Sequence, residues 1–136
     1  MTSDVMPRTG AWSGKGTVLL VDDERSVREI GGKMLERAGF DVVVAADGHE
    51  ALDRFREDTQ GKIVCVILDL TMPQMDGAEC LHELRNMGRQ VPVIISSGYS
   101  EQDTADRIGS DPLVSFIQKP YRQMELMALI RQVLEA

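Results

Sequence analysis

The sequence is poor in aromatic residues and in sulfur chemistry. Its 136 residues hold one Trp, two Tyr, three Phe and two Cys. Cys65 and Cys80 have no metal-ligand spacing, which argues against a disulfide framework or a structural zinc site. Cys65 lies inside an apolar run and Cys80 in a helical pattern, so both read as reduced core thiols. No apolar run approaches the roughly 20 residues that a membrane span needs, and no signal-peptide pattern is present. The expectation is a cytoplasmic protein that makes no membrane contact. Positive charge is also scarce: 15 Lys and Arg stand against 22 Asp and Glu, a net charge of −7 with no basic patch. That balance argues against direct nucleic-acid binding and suits a protein that gathers carboxylates around a cation. A chain of this length is one domain. It buries about two-thirds of its unfolded surface and needs no covalent staple.

What is present is organised around Ile63–Gly77, IVCVILDLTMPQMDG. The apolar run Ile63–Leu68 is β-branched and continuous, the signature of a strand buried on both faces. It runs straight into Asp69, which therefore stands at the carboxyl end of a central strand, the place where open α/β sheets bind ligands. Pro73 lacks an N–H and biases Met72 toward extended geometry, so Asp69 opens a loop that Asp76-Gly77 closes.

In chain order, residues 1–16 mix Thr, Ser, Pro and Gly without periodicity and read as a tail or linker, with Trp12 inside it. Gly14-Lys15-Gly16-Thr17 is no phosphate loop: no strand precedes it, and the required upstream Gly is missing. The domain is assigned to residues 17–136. Val18–Val21 is a strand ending in Asp22-Asp23-Glu24. Ser26, with Glu29 three residues on, predicts a capping box for a helix whose inward stripe is Val27, Ile30, Met34 and Leu35 and whose end is Gly39. Gly31-Gly32 inside it predict a close approach to the sheet. Asp41–Ala45 is a strand, Asp47-Gly48 a turn, and His49–Asp58 a helix with Ala51, Leu52 and Phe55 inward. Ala78–Asn86 is helical, with Leu81 and Leu84 inward. Val91–Ser96 is a strand that leads to Ser97-Gly98. Ser100–Gly109 is polar and predicts a weak, mobile helix. Leu113–Gln118 is the last strand, and Tyr121–Glu135 an apolar helix. Strict strand–helix alternation specifies an α/β fold, a three-layer doubly wound sandwich with five parallel strands and five helices.

Four strands thus leave polar residues on one sheet edge: Asp22 and Asp23, Asp69, Ser97 and Lys119. Three clustered carboxylates repel one another, and a divalent cation removes the penalty. An all-oxygen ligand set suits Mg²⁺, or Mn²⁺ in its place. Lys119 offers a point charge and Ser97 a hydroxyl to a phosphoryl group, and a carboxylate at Asp69 is a competent nucleophile for phosphoryl transfer. His49 and His82 have no partners at ligand spacing and read as surface residues.

Val21-Asp22-Asp23-Glu24, Asp69-Leu70-Thr71-Met72-Pro73 with Asp76-Gly77, Ser96-Ser97-Gly98 and Lys119-Pro120 together resemble the motif set of response-regulator receiver domains of two-component signalling, the CheY-like proteins. The resemblance runs from about Thr17 to the end, in order and at family spacing. It implies the flavodoxin-like strand order 2-1-3-4-5. It also implies that Asp69 accepts a phosphoryl group from a histidine, and that Asp23 and Asp69 bind Mg²⁺. Asp22 would assist through water and the backbone carbonyl of Thr71 as a further ligand. Ser97 moves to the phosphoryl group, Lys119 pairs with it, and Phe116 stands at the aromatic switch position. Thr71 and Tyr99 stand at positions that tune dephosphorylation. Gly98 stands where the family often has Ala, which leaves the phosphate open to solvent. A cis Lys119-Pro120 peptide is implied, as is self-catalysed phosphorylation and dephosphorylation rather than turnover of a separate substrate.

The implied partners are a histidine kinase or histidine phosphotransfer protein, meeting the first helix near Ser26–Met34, and a downstream protein meeting the last two strand–helix units. A monomer or a weak phosphorylation-dependent dimer is expected. The context expected is a stand-alone receiver or the C-terminal receiver of a hybrid sensor kinase. The alternative is a Mg²⁺-dependent aspartyl-phosphate phosphatase or phosphotransferase on a related sheet. Such enzymes carry a second acid two residues after the nucleophile, where this chain has Thr71, and they need a substrate cap. A nucleotide- or flavin-binding module is disfavoured because the first turn is not Gly-rich. In a mobility-shift assay at low salt the phosphorylated chain should not retard DNA; specific retardation would overturn the charge argument.

Overall fold

The computed structural model describes residues 14–135. Ten elements alternate: β1 Thr17–Val21, α1 Arg25–Arg37, β2 Asp41–Ala45, α2 Gly48–Glu57, β3 Ile63–Asp69, α3 Gly77–Asn86, β4 Val93–Ser97, α4 Glu101–Ile108, β5 Val114–Gln118 and α5 Gln123–Glu135. The strands form one parallel sheet in the order β2-β1-β3-β4-β5. Both the doubly wound architecture and the strand order agree with the reading of the sequence.

Side chains on a strand alternate between faces, so each apolar strand feeds two cores. On one face Leu19, Val21, Val66, Leu68 and Ile95 pack with Phe55 of α2 and Leu84 of α3. On the other, Val18, Leu20, Cys65, Ile67 and Ile94 pack with Leu35 of α1 and with Leu126 and Ile130 of α5. Both cysteines are buried free thiols. Burial pushes each up to about 12, so neither is a thiolate.

Several boundaries differ from the sequence expectation, each for a local reason. The Ser26–Glu29 capping box does not form. Glu24 is the N-cap of α1, without a side-chain bond, and Ser26 lies inside the helix. The backbone N–H of Glu24 donates to Asp22 Oδ1 at 2.9 Å, which turns the chain into the helix earlier. Ile30 is not inward: it is 57% exposed, and the fully buried positions of α1 are Gly31 and Leu35. Asp47 caps α2 by accepting from Glu50 N–H at 2.8 Å, so that helix begins at Gly48. β4 starts after Pro92 rather than at Val91, because Pro92 has no N–H for the ladder. α5 begins at Gln123; Leu126 and Ile130 are fully buried, Met127, Val133 and Leu134 pack partly buried against the same core, and Met124, 84% exposed, departs from the inward apolar face. Trp12, read as part of the tail, lies outside the described residues. Domain hydrogen bonding reaches back to Gly14, whose N–H donates to the Ala38 carbonyl at 2.7 Å.

Two glycines set close approaches. At Gly31 a Cβ would come within 3.0 Å of Leu20 Cδ2, so α1 rests directly on β1, as the sequence predicted. At Gly77 a Cβ would lie 2.6 Å from the Asp69 carbonyl oxygen and 2.8 Å from Leu70 Cα, while the Gly77 N–H donates to Leu70 O at 2.7 Å. The start of α3 is thereby clamped against the backbone that carries Asp69. Gly77→Ala should cost about 1–3 kcal/mol, as overpacking against backbone does. Gly98→Ala, where a Cβ meets nothing within 4 Å, should stay within about 0.5 kcal/mol. Urea unfolding checks both, and equal losses would remove the steric argument.

Candidate functional site

The strand ends converge on the carboxyl edge of the sheet. Register places Val21 beside Leu68 and Ser96 beside Asp69, so Asp22, following β1, and Asp69, ending β3, stand next to each other. Asp22 is 1% exposed, Asp69 is 4% exposed, and Asp23 is exposed. One carboxylate oxygen from each of Asp22, Asp23 and Asp69 falls in a group whose members all lie within 4.8 Å of one another. Lys119 enters from the end of β5, where its N–H donates to the Ser97 carbonyl at 2.8 Å. The Lys119-Pro120 peptide is cis, as the sequence motif implied. Lys119 Nζ stands 2.7 Å from Asp22 Oδ2 and 3.3 Å from Asp69 Oδ1. It bridges the two buried carboxylates and is closer to Asp22.

The electrostatics follow from burial. Burial first, and the charge of Asp22 second, push the Asp69 carboxyl up to about 6, against the opposing pull of Lys119 and of a hydrogen bond from the Thr71 backbone. For Lys119 burial works against the charge, but the Asp22 hydrogen bond and the Asp69 charge outweigh it and hold the ammonium above its ordinary range. A site with two buried carboxylates, one exposed carboxylate and one ammonium retains an excess of negative charge. All-oxygen donors gathered within 4.8 Å of one another fit a hard divalent cation such as Mg²⁺.

Ser97 ends β4 and is buried. Its Oγ is engaged: it accepts a hydrogen bond from the Tyr99 backbone N–H at 2.9 Å. Phe116 on β5 is half-buried and packs against the core that contains Leu68 and Ile95. Thr71, Gly98 and Tyr99 line the exposed loops around the edge. His49 and His82 are exposed on α2 and α3, and neither belongs to the acidic cluster. Sequence reasoning missed three participants. Arg28 Nη1 donates to the Asp22 backbone carbonyl at 2.7 Å. Tyr121 sits close enough for burial and the Asp22 charge to push its phenol up. Ile30, with Val27, Met34, Pro120 and Tyr121, lines a cavity of about 470 Å³ that opens beside Lys119. The spacing of Arg28 one helical turn beyond the acidic triplet was the available signal for the first. Nothing in the sequence marked Ile30 as exposed.

Residues 18–131 match the response regulator receiver domain family. The chain belongs to that family. This receiver is 38% identical over 123 residues to the sensor kinase CckA of Brucella abortus, covering 90% of this chain and 13% of that protein. It superimposes on the crystal structure of the receiver domain from the hybrid histidine kinase CckA with a TM-score of 0.75 at 34% identity, covering 88% of this chain and 99% of that one. It is also similar, with a TM-score of 0.76 and 30% identity over 87% of this chain and 88% of that one, to a chain of the CheX–CheY–BeF₃–Mg²⁺ complex from Borrelia burgdorferi. The receiver spans about half or less of the length of the curated relatives it matches. Among its described residues no helix is long and apolar enough to cross a membrane.

The raised Asp69 carboxyl has a definite consequence for stability. Below pH about 4 the folded and unfolded chains both hold its proton. Between about 4 and 6 only the fold retains it, so metal-free stability falls as pH rises through that window. Above about 6 the full cost stands, about 3 kcal/mol for a shift of this size. Asp69→Asn should flatten the profile and unfold at higher urea than the wild type at pH 7. Identical pH profiles for the two proteins would remove Asp69 as the source.

Proposed function

We propose that this receiver is a phosphoacceptor switch in a two-component phosphorelay, taking a phosphoryl group from a histidine onto Asp69. The observation that carries the reading is the Lys119 ammonium bridging Asp22 and Asp69 on a sheet edge where a third carboxylate, Asp23, converges. An Asp69 oxygen forms the new bond to phosphorus while the bond from phosphorus to the donor's imidazole nitrogen breaks. The bonding pair leaves with that nitrogen, and the ring, which enters protonated at its other nitrogen, departs as neutral imidazole. Lys119, already beside Asp69, balances charge on a phosphoryl oxygen, and the Ser97 hydroxyl supplies a donor to another. Asp23 and Asp69, with Asp22 and the Thr71 carbonyl, would hold Mg²⁺ or Mn²⁺. The cation supplies neutralisation of the crowded negative charge. Phe116, half-buried on β5, would turn inward in the phosphorylated state, with Thr71, Gly98 and Tyr99 setting the phosphoryl lifetime.

The cavity between α1 and Pro120-Tyr121 is the place for the donor. Its walls are mainly apolar, it opens beside Lys119, and the exposed Ile30 stands at its rim. An amphipathic histidine-bearing helix laid along α1 would cover this apolar surface. The downstream partner would read the face built by α4, β5 and α5. Neither role requires nucleic acid or a membrane. A cytoplasmic setting and a domain that modifies itself, without turning over a separate substrate, complete the reading. The parent chain is proposed to be either a stand-alone receiver or a hybrid histidine kinase.

With Mg²⁺ and acetyl phosphate the protein should gain one phosphoryl group by intact mass, and Asp69→Asn should gain none. Labelling of both, or of neither, would sink the assignment. Asp23→Ala should lose Mg²⁺ binding by titration calorimetry yet melt no lower than the wild type in metal-free buffer, because it relieves carboxylate repulsion.

A further inference from the structure

Beyond Ser97 and Tyr99, which the phosphoacceptor reading uses, the β4–α4 connection carries contacts to α4 that it does not. The Tyr99 backbone N–H donates to Ser97 Oγ at 2.9 Å. Because that hydrogen bond ends on the hydroxyl oxygen itself, the Tyr99 backbone is tied to wherever the hydroxyl goes. The Tyr99 side chain is 44% exposed, and its ring does not enter either core. Instead the guanidinium of Arg107, two helical turns along α4, lies over it with 4.5 Å from Cζ to the ring centroid. The next residue, Ser100, caps α4 by accepting from Asp103 N–H at 3.1 Å, and its carbonyl accepts from the Thr104 hydroxyl at 2.9 Å. Both ends of α4 are therefore fastened to the loop that follows Ser97.

The helix is fastened only lightly to everything else. Thr104 is its one buried residue, and Gly109 ends it at φ +82°. Ile108 is half-buried against the core shared with α2 and α3. An element held by few apolar contacts moves at low cost. A loop free of the helix would absorb a shift of the Ser97 hydroxyl within itself. A loop stacked on Arg107 and joined to the cap cannot do so without moving the helix.

We propose that the Tyr99–Arg107 stack yokes the β4–α4 loop to α4, so that displacement of the Ser97 hydroxyl toward a phosphoryl group on Asp69 is delivered to the whole helix. This rests on the phosphoacceptor reading of Asp69 and Ser97. Arg107 is then a positioning residue: exposed, away from the acidic cluster, and without a part in the chemistry. An exposed cation–π contact corresponds to roughly a two- to five-fold change in a conformational equilibrium.

The test compares wild type, Arg107→Ala and Arg107→Lys by amide hydrogen exchange with Mg²⁺ alone and with Mg²⁺ plus beryllium fluoride as the phosphoryl mimic. Acetyl phosphate labelling is measured in parallel by intact mass. All three proteins should label at Asp69 to the same extent. In the wild type, exchange across residues 101–108 should change by roughly two- to five-fold on adding beryllium fluoride, the size of the contact. Arg107→Ala should keep the change at residues 97–100 and in the Ser100-capped first turn and lose it at residues 105–108, and Arg107→Lys, which retains a cation over the ring, should restore part of it. An unchanged response of α4 in Arg107→Ala, or a labelled wild type whose α4 does not respond, overturns the yoke while leaving the phosphoacceptor reading intact. A wild type that does not label at Asp69 overturns both.

Discussion

Two buried carboxylates side by side are the constraint on which this structure turns. Asp22 and Asp69 are almost fully removed from water, and Lys119 Nζ reaches both, at 2.7 and 3.3 Å. One ammonium does not offset two carboxylates in a dry site, and the Asp69 carboxyl is still pushed up to about 6. The imbalance is the electrostatic basis of the proposed cation binding, since a site left short of positive charge favours a cation. The rest of the fold is arranged to keep those groups from separating. Leu70 N–H donates to the Ser96 carbonyl, Lys119 N–H to the Ser97 carbonyl, and Gly77 N–H to the Leu70 carbonyl. The first two bonds tie one strand end to its neighbour and the third ties the start of α3 to the end of β3, so the charges cannot relax apart by moving loops.

The scaffold divides its stability unevenly. β3 is buried along nearly its whole length and feeds both cores, and α2, α3, α1 and α5 each bury apolar residues against it or its neighbours. α4 contributes Thr104 as its only buried side chain. A rigid platform that carries the charges and a lightly attached helix beside it suit the proposed switch: a fixed place for the perturbation and a low-cost place for the response. The burial of Asp22 and Asp69 costs stability, and the two packed faces offset it.

Much of this was legible because strand ends are readable. An apolar run that terminates in Asp, Ser or Lys declares its carboxyl end, and alternation with helices brings such ends to one edge. Asp22, Asp23, Asp69 and Lys119 meet there as expected. Helix starts were less legible, because a cap is chosen by three-dimensional competition. Ser26 had the right spacing, but Asp22 Oδ1 captured the Glu24 N–H and turned the chain earlier. Ile30 fitted a helical stripe, yet the groove beside Pro120-Tyr121 leaves it exposed, and periodicity alone does not distinguish a core from an apolar surface groove.

The sequence by itself determined the class of fold, the sheet edge on which the strand-end polar residues gather and the identity of the acidic cluster. Those depend on hydrophobic period and on which residues end each strand, both local properties. Only the tertiary structure decided that Lys119 lies nearer Asp22 than Asp69, that Ser97 Oγ is engaged by Tyr99, and that Arg107 stacks on the Tyr99 ring. The first and third are distances between side chains far apart in the chain, set by packing, and the second is a local loop hydrogen bond whose partner the sequence does not specify.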